Sequence, residues 1–158
     1  MTIRIGDTLP AATFAVLRER VEPMTTDAVF KGKRVVLFGV PGAFTPTCSE
    51  RHLPGYVGHY AEFRQRGIEV ACVAVNDAYV MRAWARQRDV PEGLLMLADG
   101  NGDFARALGL ERDSRQFGMG LRLKRFALYA EDTVVKVLHV EAPGEFRVSS
   151  AEAMLAAV

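Results

Sequence analysis

The chain has no long apolar run, few cysteines and almost no net charge, and each shortage removes a class of function. No stretch reaches the ~18 consecutive apolar residues of a membrane span. Only two of the 158 residues are cysteine, Cys48 and Cys72, and they form neither a disulfide framework nor a C-x-x-C pair. The three histidines, His52, His59 and His139, have no zinc-finger spacing with these cysteines, so no metal is expected. Twenty basic residues against nineteen acidic ones give a formal charge of +1. No single-sign field is therefore present to draw in nucleic acid or an anionic membrane, and a small molecule or a protein is the expected partner. The opening Met1-Thr2-Ile3-Arg4-Ile5-Gly6-Asp7 lacks the basic-then-apolar order of a signal peptide, which makes the cytoplasm the expected location. What the chain does have is 49% hydrophobic residues, enough for one domain over 1–158 that buries roughly two thirds of its unfolded surface.

Apolar runs at Val35 to Val40, Ile68 to Val75 and Leu94 to Ala98 have the near-continuous character of buried strands. Between them, Thr47 to Arg66 and Asp77 to Arg88 mix polar and apolar residues at helical spacing, the second with a cap at Asn76-Asp77. A short helix is expected over Phe104 to Leu108, then an antiparallel hairpin from Lys124 to Ala130 and Thr133 to Val140, turning at Glu131-Asp132. Ser149 to Glu152 forms a capping box for a final helix. A βαβ half followed by a ββα half predicts an α/β protein with a thioredoxin-like fold: a central mixed sheet flanked by helices, with the first ~30 residues as an N-terminal hairpin or extension.

The chemistry concentrates in Pro41-Gly42-Ala43-Phe44-Thr45-Pro46-Thr47-Cys48-Ser49, between the Val35 to Val40 strand and the following helix. Open α/β sheets place their sites at such strand ends. With Thr47 as N-cap and Glu50 completing a Thr-x-x-Glu box, Cys48 takes the first helical position, where free N–H groups and the helix dipole favour a thiolate. Pro41 and Pro46 stiffen the loop, Thr45 brings a hydroxyl near the sulfur, and Pro54 should kink the helix. His52, four residues beyond Cys48, is a candidate base for a Cys-His hydrolase, but an i,i+4 histidine is ordinarily a surface residue. Cys72, in an apolar strand, reads as a core thiol poorly placed for a disulfide with Cys48. Phe44, Trp84 and Phe117 suit an apolar lip, a subunit contact or the core equally, and the basic group Arg112, Arg115, Arg122 and Lys124 reads as a solvated loop.

Pro41 to Ser49, continued by His52-Leu53-Pro54-Gly55-Tyr56, resembles the peroxidatic motif of the peroxiredoxins, in particular the Prx5-like (type II) subfamily. The likeness extends through Val75-Asn76-Asp77, Val80 to Trp84, Ala98 to Gly102 and Leu123 to Leu128, over nearly the whole chain. It implies reduction of hydrogen peroxide and organic hydroperoxides with no metal or bound cofactor, with Cys48 as nucleophile and Thr45, Pro41 and Arg125 in the site. The backbone N–H of Cys48, the Thr45 hydroxyl and Arg125 are the expected donors to the peroxide oxygens. Relatives that form an intramolecular disulfide carry a second cysteine near the C-terminus, where this chain has Arg147-Val148-Ser149-Ser150. A 1-Cys enzyme regenerated by an external thiol follows, with glutathione, alone or through glutaredoxin, as first choice and thioredoxin as second. The family likeness also implies a homodimer. The rival reading is a peroxide-responsive sensor or binding module of the same fold.

Overall fold

The computed structural model describes residues 2–158; Met1 lies outside them. Five strands make the body of one sheet: β1 (Thr13–Leu17), β3 (Arg34–Gly39), β4 (Glu69–Ala74), β5 (Leu95–Ala98) and β8 (Phe126–Glu131). The hairpin partners β2 (Val21–Thr25) and β9 (Val134–Val140) occupy the two edges, giving the order β2-β1-β5-β4-β3-β8-β9. β4 runs parallel to β3 and β5, whereas β8 is antiparallel to β3 and β1 is antiparallel to β5. This is the mixed thioredoxin-like sheet expected from the sequence, and the N-terminal hairpin extends it through the Ala15–Ala98 pairing.

The period-2 alternation of strand side chains separates two cores. Val36 and Phe38 face one side with α2 (Leu53–Gly58), α3 (Tyr60–Gln65), α4 (Ala78–Gln87) and α6 (Ala151–Ala157), burying Tyr56, Phe63, Trp84 and Met154. Val35 and Leu37 face the other side with α1 (Thr26–Phe30) and α5 (Asp103–Leu108), burying Phe30, Phe104 and Leu108. Continuous apolar runs fit these strands because both faces are covered. Gly39, opposite Phe126 in the register, has a packing role: a Cβ there would collide with the edge of the Phe126 ring.

Four local expectations are corrected. Thr47 to Arg66 is not one helix but a π-helical turn (Cys48–His52) followed by α2 and α3, with His59 between them out of helical geometry. The β8–β9 turn is centred on Asp132-Thr133, both at positive φ (46° and 72°), rather than on Glu131-Asp132; that pair of left-handed residues matches the twist of a hairpin. Ser150, not Ser149, caps α6, accepting from the Ala153 N–H, because Ser149 is turned inward and buried. The basic segment is not a loop: β6 (Glu111–Asp113) and β7 (Leu121–Leu123) form a separate antiparallel ribbon, with Arg112 opposite Arg122. No helix among the described residues is long and apolar enough to cross a membrane.

Candidate active site

The loop leaving β3 is tied down before it reaches Cys48. The Ala43 N–H donates to the Asn76 side chain (3.0 Å), and the Thr45 hydroxyl donates to the Gly42 carbonyl (2.6 Å). Pro41 stands half-buried at the start of this loop, and Phe44 at its tip is held at φ 65°, a conformation costly for a bulky residue and found mainly at functional sites. The Ser49 N–H bonds the Thr45 carbonyl (2.9 Å), and Thr47 is already helical with no side-chain cap bond. The helix therefore starts two residues earlier than the expected Thr47 cap: Thr45 precedes it, Pro46 fills the first position, and Cys48 comes third. Proline favours that first position because its φ is fixed and no N–H is needed there. The third residue still carries one of the N–H groups that precede the helical ladder.

The π turn has a local cause. Pro54 lacks an N–H, and its ring crowds the carbonyl four residues back, so the turn before it widens and the Leu53 N–H reaches the Cys48 carbonyl instead of Ser49. Cys48 and His52 share one face of this turn, and Arg125, just ahead of β8, spans both. Its Nη2 donates to Cys48 Sγ (3.2 Å) and its Nη1 to His52 Nδ1 (2.9 Å). Cys48 itself is fully buried.

His52 is not the surface residue expected but lies at 0% exposure, packed against Phe38, Tyr56 and Phe146. Burial, reinforced by the positive charge of Arg125, lowers its pKa to about 3. An arginine can only donate, so His52 Nδ1 is the acceptor, and the ring hydrogen on Nε2 points at the Ser149 carbonyl (3.0 Å). A neutral ring whose nitrogens are both engaged is a poor general base, which removes the physical basis for a Cys-His hydrolase. Thr45 is also changed in role. Its only hydrogen goes to Gly42, so what the hydroxyl offers a substrate is its lone pairs, as acceptor rather than donor.

The sequence of the chain matches the Redoxin family over residues 4–155. It is 46% identical to Peroxiredoxin-2E, chloroplastic, of Arabidopsis thaliana, covering 99% of this chain and 70% of that protein. Identity to Peroxiredoxin-2C of Arabidopsis thaliana is 43%, over 99% and 98% of the two chains. The chain belongs to the peroxiredoxins. Among solved structures, reduced Prx3 from Vibrio vulnificus in complex with hydrogen peroxide superposes with a TM-score of 0.94 at 49% identity, covering 99% of each chain. Peroxiredoxin 5 from Alvinella pompejana follows at 0.84 and 33%, covering 98% of this chain and 96% of its own. This peroxiredoxin is accordingly a thiol-dependent peroxidase, an oxidoreductase whose family uses thiol reductants and needs no prosthetic group.

Cys72 is the buried β4 thiol expected, opposite Phe38 and Met96, and burial, with charge on Cys48 adding to it, pushes its pKa well above the ordinary range. Trp84 is core, and its indole N–H donates to Ser49 Oγ (2.9 Å), directly after Cys48. Phe44 and Phe117 are exposed. Arg122 is not solvated: it donates to the carbonyls of Met119 (2.9 Å) and Val75 (3.2 Å), clamping β7 beside the Gly42 loop. Arg115 pairs with Asp113 at the surface. Sequence reasoning missed Phe146 and Glu141, and named Tyr56 only as part of the motif and Ser149 only as a helix cap. Only His52, by its spacing from Cys48, gave a signal.

Proposed function

We propose that Cys48 is the peroxidatic nucleophile of a 1-Cys peroxiredoxin, assisted by Thr45, Arg125 and Pro41. The Cys48 thiolate attacks the terminal, hydrogen-bearing oxygen of ROOH; the S–O bond forms as the O–O bond breaks, and the departing RO⁻ takes a proton from solvent to become ROH. Cys48 is left as the sulfenic acid. Negative charge leaves sulfur for the departing oxygen, so a donor reaching both gains strength in the transition state. Arg125, 3.2 Å from the sulfur, is the observation that carries this assignment. The Cys48 N–H adds a second donor, Thr45 accepts the peroxide hydrogen and so orients the substrate, and Pro41 contributes a rigid wall without a competing N–H.

A first external thiol then displaces hydroxide from the sulfenic acid, giving a mixed disulfide and water. A second thiol attacks that disulfide, releasing Cys48 and the oxidised reductant. At 0% exposure the sulfur is closed to both reactants: peroxide needs the loop to shift, and a bulkier thiol needs the π turn itself to open, breaking the Trp84–Ser49 and Arg125–Cys48 bonds. Glutathione, with or without glutaredoxin, is the first candidate reductant and thioredoxin the second. A reducing compartment such as the cytoplasm suits a chain with two free thiols. A homodimer is supported by the exposed rings of Phe44, Tyr79 and Phe117, apolar surface that a second copy would cover.

Stopped-flow mixing with hydrogen peroxide and an organic hydroperoxide tests the assignment. Fast single-turnover oxidation in the wild type, absent in Cys48→Ser, is expected; unchanged peroxide consumption by the serine variant overturns it. Parallel turnover with glutathione, glutathione plus glutaredoxin, and thioredoxin ranks the reductants.

A further inference from the structure

Arg125 is flanked by a carboxylate that does not neutralise it. Glu141 stands opposite Arg125 at the open end of the β8–β9 hairpin, its backbone N–H donating to the Arg125 carbonyl (2.9 Å). No carboxylate among the described residues forms an ion pair with Arg125. The Glu141 carboxylate is instead filled by the segment before α6: it accepts from the N–H groups of Arg147 (2.8 Å), Val148 (2.9 Å) and Ser149 (2.8 Å), and from the Ser149 hydroxyl (2.6 Å). Burial pushes this carboxyl up, but the Ser149 hydroxyl and the three N–H groups outweigh it and hold it below its usual range, so it is an anion whose Oε2 takes four of these bonds while Oε1 takes one, from the Arg147 N–H (2.9 Å).

What Glu141 fixes is the Ser149 carbonyl, which accepts from both His52 Nε2 (3.0 Å) and the Tyr56 hydroxyl (2.8 Å). Tyr56 stacks on Phe38 at 4.0 Å with the planes 2° apart, and Phe146, in the loop that Glu141 gathers, packs against His52 at 5.0 Å. The ring is thus fixed in both orientation and tautomer, with its Nδ1 lone pair presented to Arg125. We propose that Glu141 is a positioning residue for Arg125, acting through the Ser149 carbonyl and His52 to hold the guanidinium on Cys48. The arrangement supplies one fixed, uncharged acceptor for an Arg125 nitrogen while leaving its positive charge free for the sulfur. A carboxylate in the place of His52 would hold the guanidinium as firmly but would cancel that charge. The inference rests on Cys48 and Arg125 having the roles proposed above.

The test is a double-mutant cycle on the single-turnover oxidation of Cys48 by hydrogen peroxide, with Glu141→Gln, Arg125→Lys and the combination. Glutamine keeps the size of Glu141 but turns an N–H₂ toward the N–H groups the carboxylate accepts. The second-order constant should fall roughly tenfold in Glu141→Gln, as when one charge-assisted hydrogen bond is weakened. In the Arg125→Lys background the same change should cost less than about twofold, because the group it positions is gone. Multiplying effects would mean that Glu141 acts only on the fold, and the inference would be overturned; so would a Glu141→Gln rate equal to wild type. Nitrogen-15 spectra of the His52 ring give an independent readout: one neutral tautomer in the wild type, a mixture in Glu141→Gln. If Glu141→Gln proves too unstable to assay, Ser149→Ala, which deletes the 2.6 Å hydroxyl bond, enters the same cycle with a smaller expected loss. A slow wild-type reaction would instead refute the role of Cys48, so the two failures are distinct.

Discussion

Replacing Arg125 with lysine should slow the peroxide step by about 10- to 150-fold while keeping the charge. Arg125 uses two nitrogens at once, one 3.2 Å from Cys48 Sγ and one 2.9 Å from His52 Nδ1. A lysine carries the same unit charge on a single, flexible nitrogen, which cannot satisfy both partners in their present positions. One bond to a charged group is therefore lost, about 1.5–3 kcal/mol. Each 1.36 kcal/mol is tenfold in rate, which gives the range stated. Arg125→Met removes the charge as well. At an effective dielectric of 20, a unit charge about 4 Å away contributes ~4 kcal/mol, so methionine should be slower again than lysine. The measurement is the second-order constant for oxidation of the fully reduced protein by hydrogen peroxide in stopped flow, with near-ultraviolet circular dichroism to verify the fold. A lysine variant within threefold of wild type would show that position of the charge matters little and that the two-pronged contact is incidental.

Three further outcomes are expected. His52, with its pKa lowered to about 3 in the folded chain against ~6.5 unfolded, favours folding fully above pH 6.5, and that contribution is lost as pH falls through the window. Urea unfolding at pH 7.5 and 5.0 should show wild type losing about 2 kcal/mol more than His52→Gln, and equal losses would contradict the burial argument. Cys72→Ala should retain turnover with an external thiol, and mass spectrometry of oxidised wild type should find the mixed disulfide on Cys48 alone; a Cys48–Cys72 disulfide would refute the core role given to β4. Trp84, the single tryptophan, bonds Ser49 in the π turn, so its fluorescence should change when the turn opens on forming the mixed disulfide; a signal unaltered between reduced and mixed-disulfide protein would mean that Cys48 is reached without opening.

Strands and helices were legible wherever both the period and the cap were local. Val35 to Val40 became β3, and Asp77 capped α4 through the Val80 N–H as its position before the helix implied. Errors arose where another residue, adjacent or distant in the chain, overrode a local pattern. Ser149 has the spacing of a cap, but Glu141 takes its hydroxyl, and the capping passes to Ser150. Thr47 and Glu50 match a capping box, yet Pro46 favours the first helical position and moves the start upstream. His52 was the largest misjudgement: helical spacing placed it beside Cys48 but gave no information about Phe38, Tyr56 and Phe146, which close over it.

The sequence by itself determined the strand-to-helix setting of Cys48, the restriction of the loop by Pro41 and Pro46, and the lack of a second cysteine in the segment before the last helix. These are consequences of local backbone preference and of atoms that are or are not present. Only the tertiary structure decided that Arg125 touches the sulfur, that His52 is a buried neutral acceptor, that the Thr45 hydroxyl hydrogen goes to Gly42, and that the Glu141 carboxylate gathers the segment around Ser149. Hydrogen-bond direction and burial depend on which groups the sheet brings within about 3 Å, and for Arg125 and Cys48 that approach joins residues 77 positions apart.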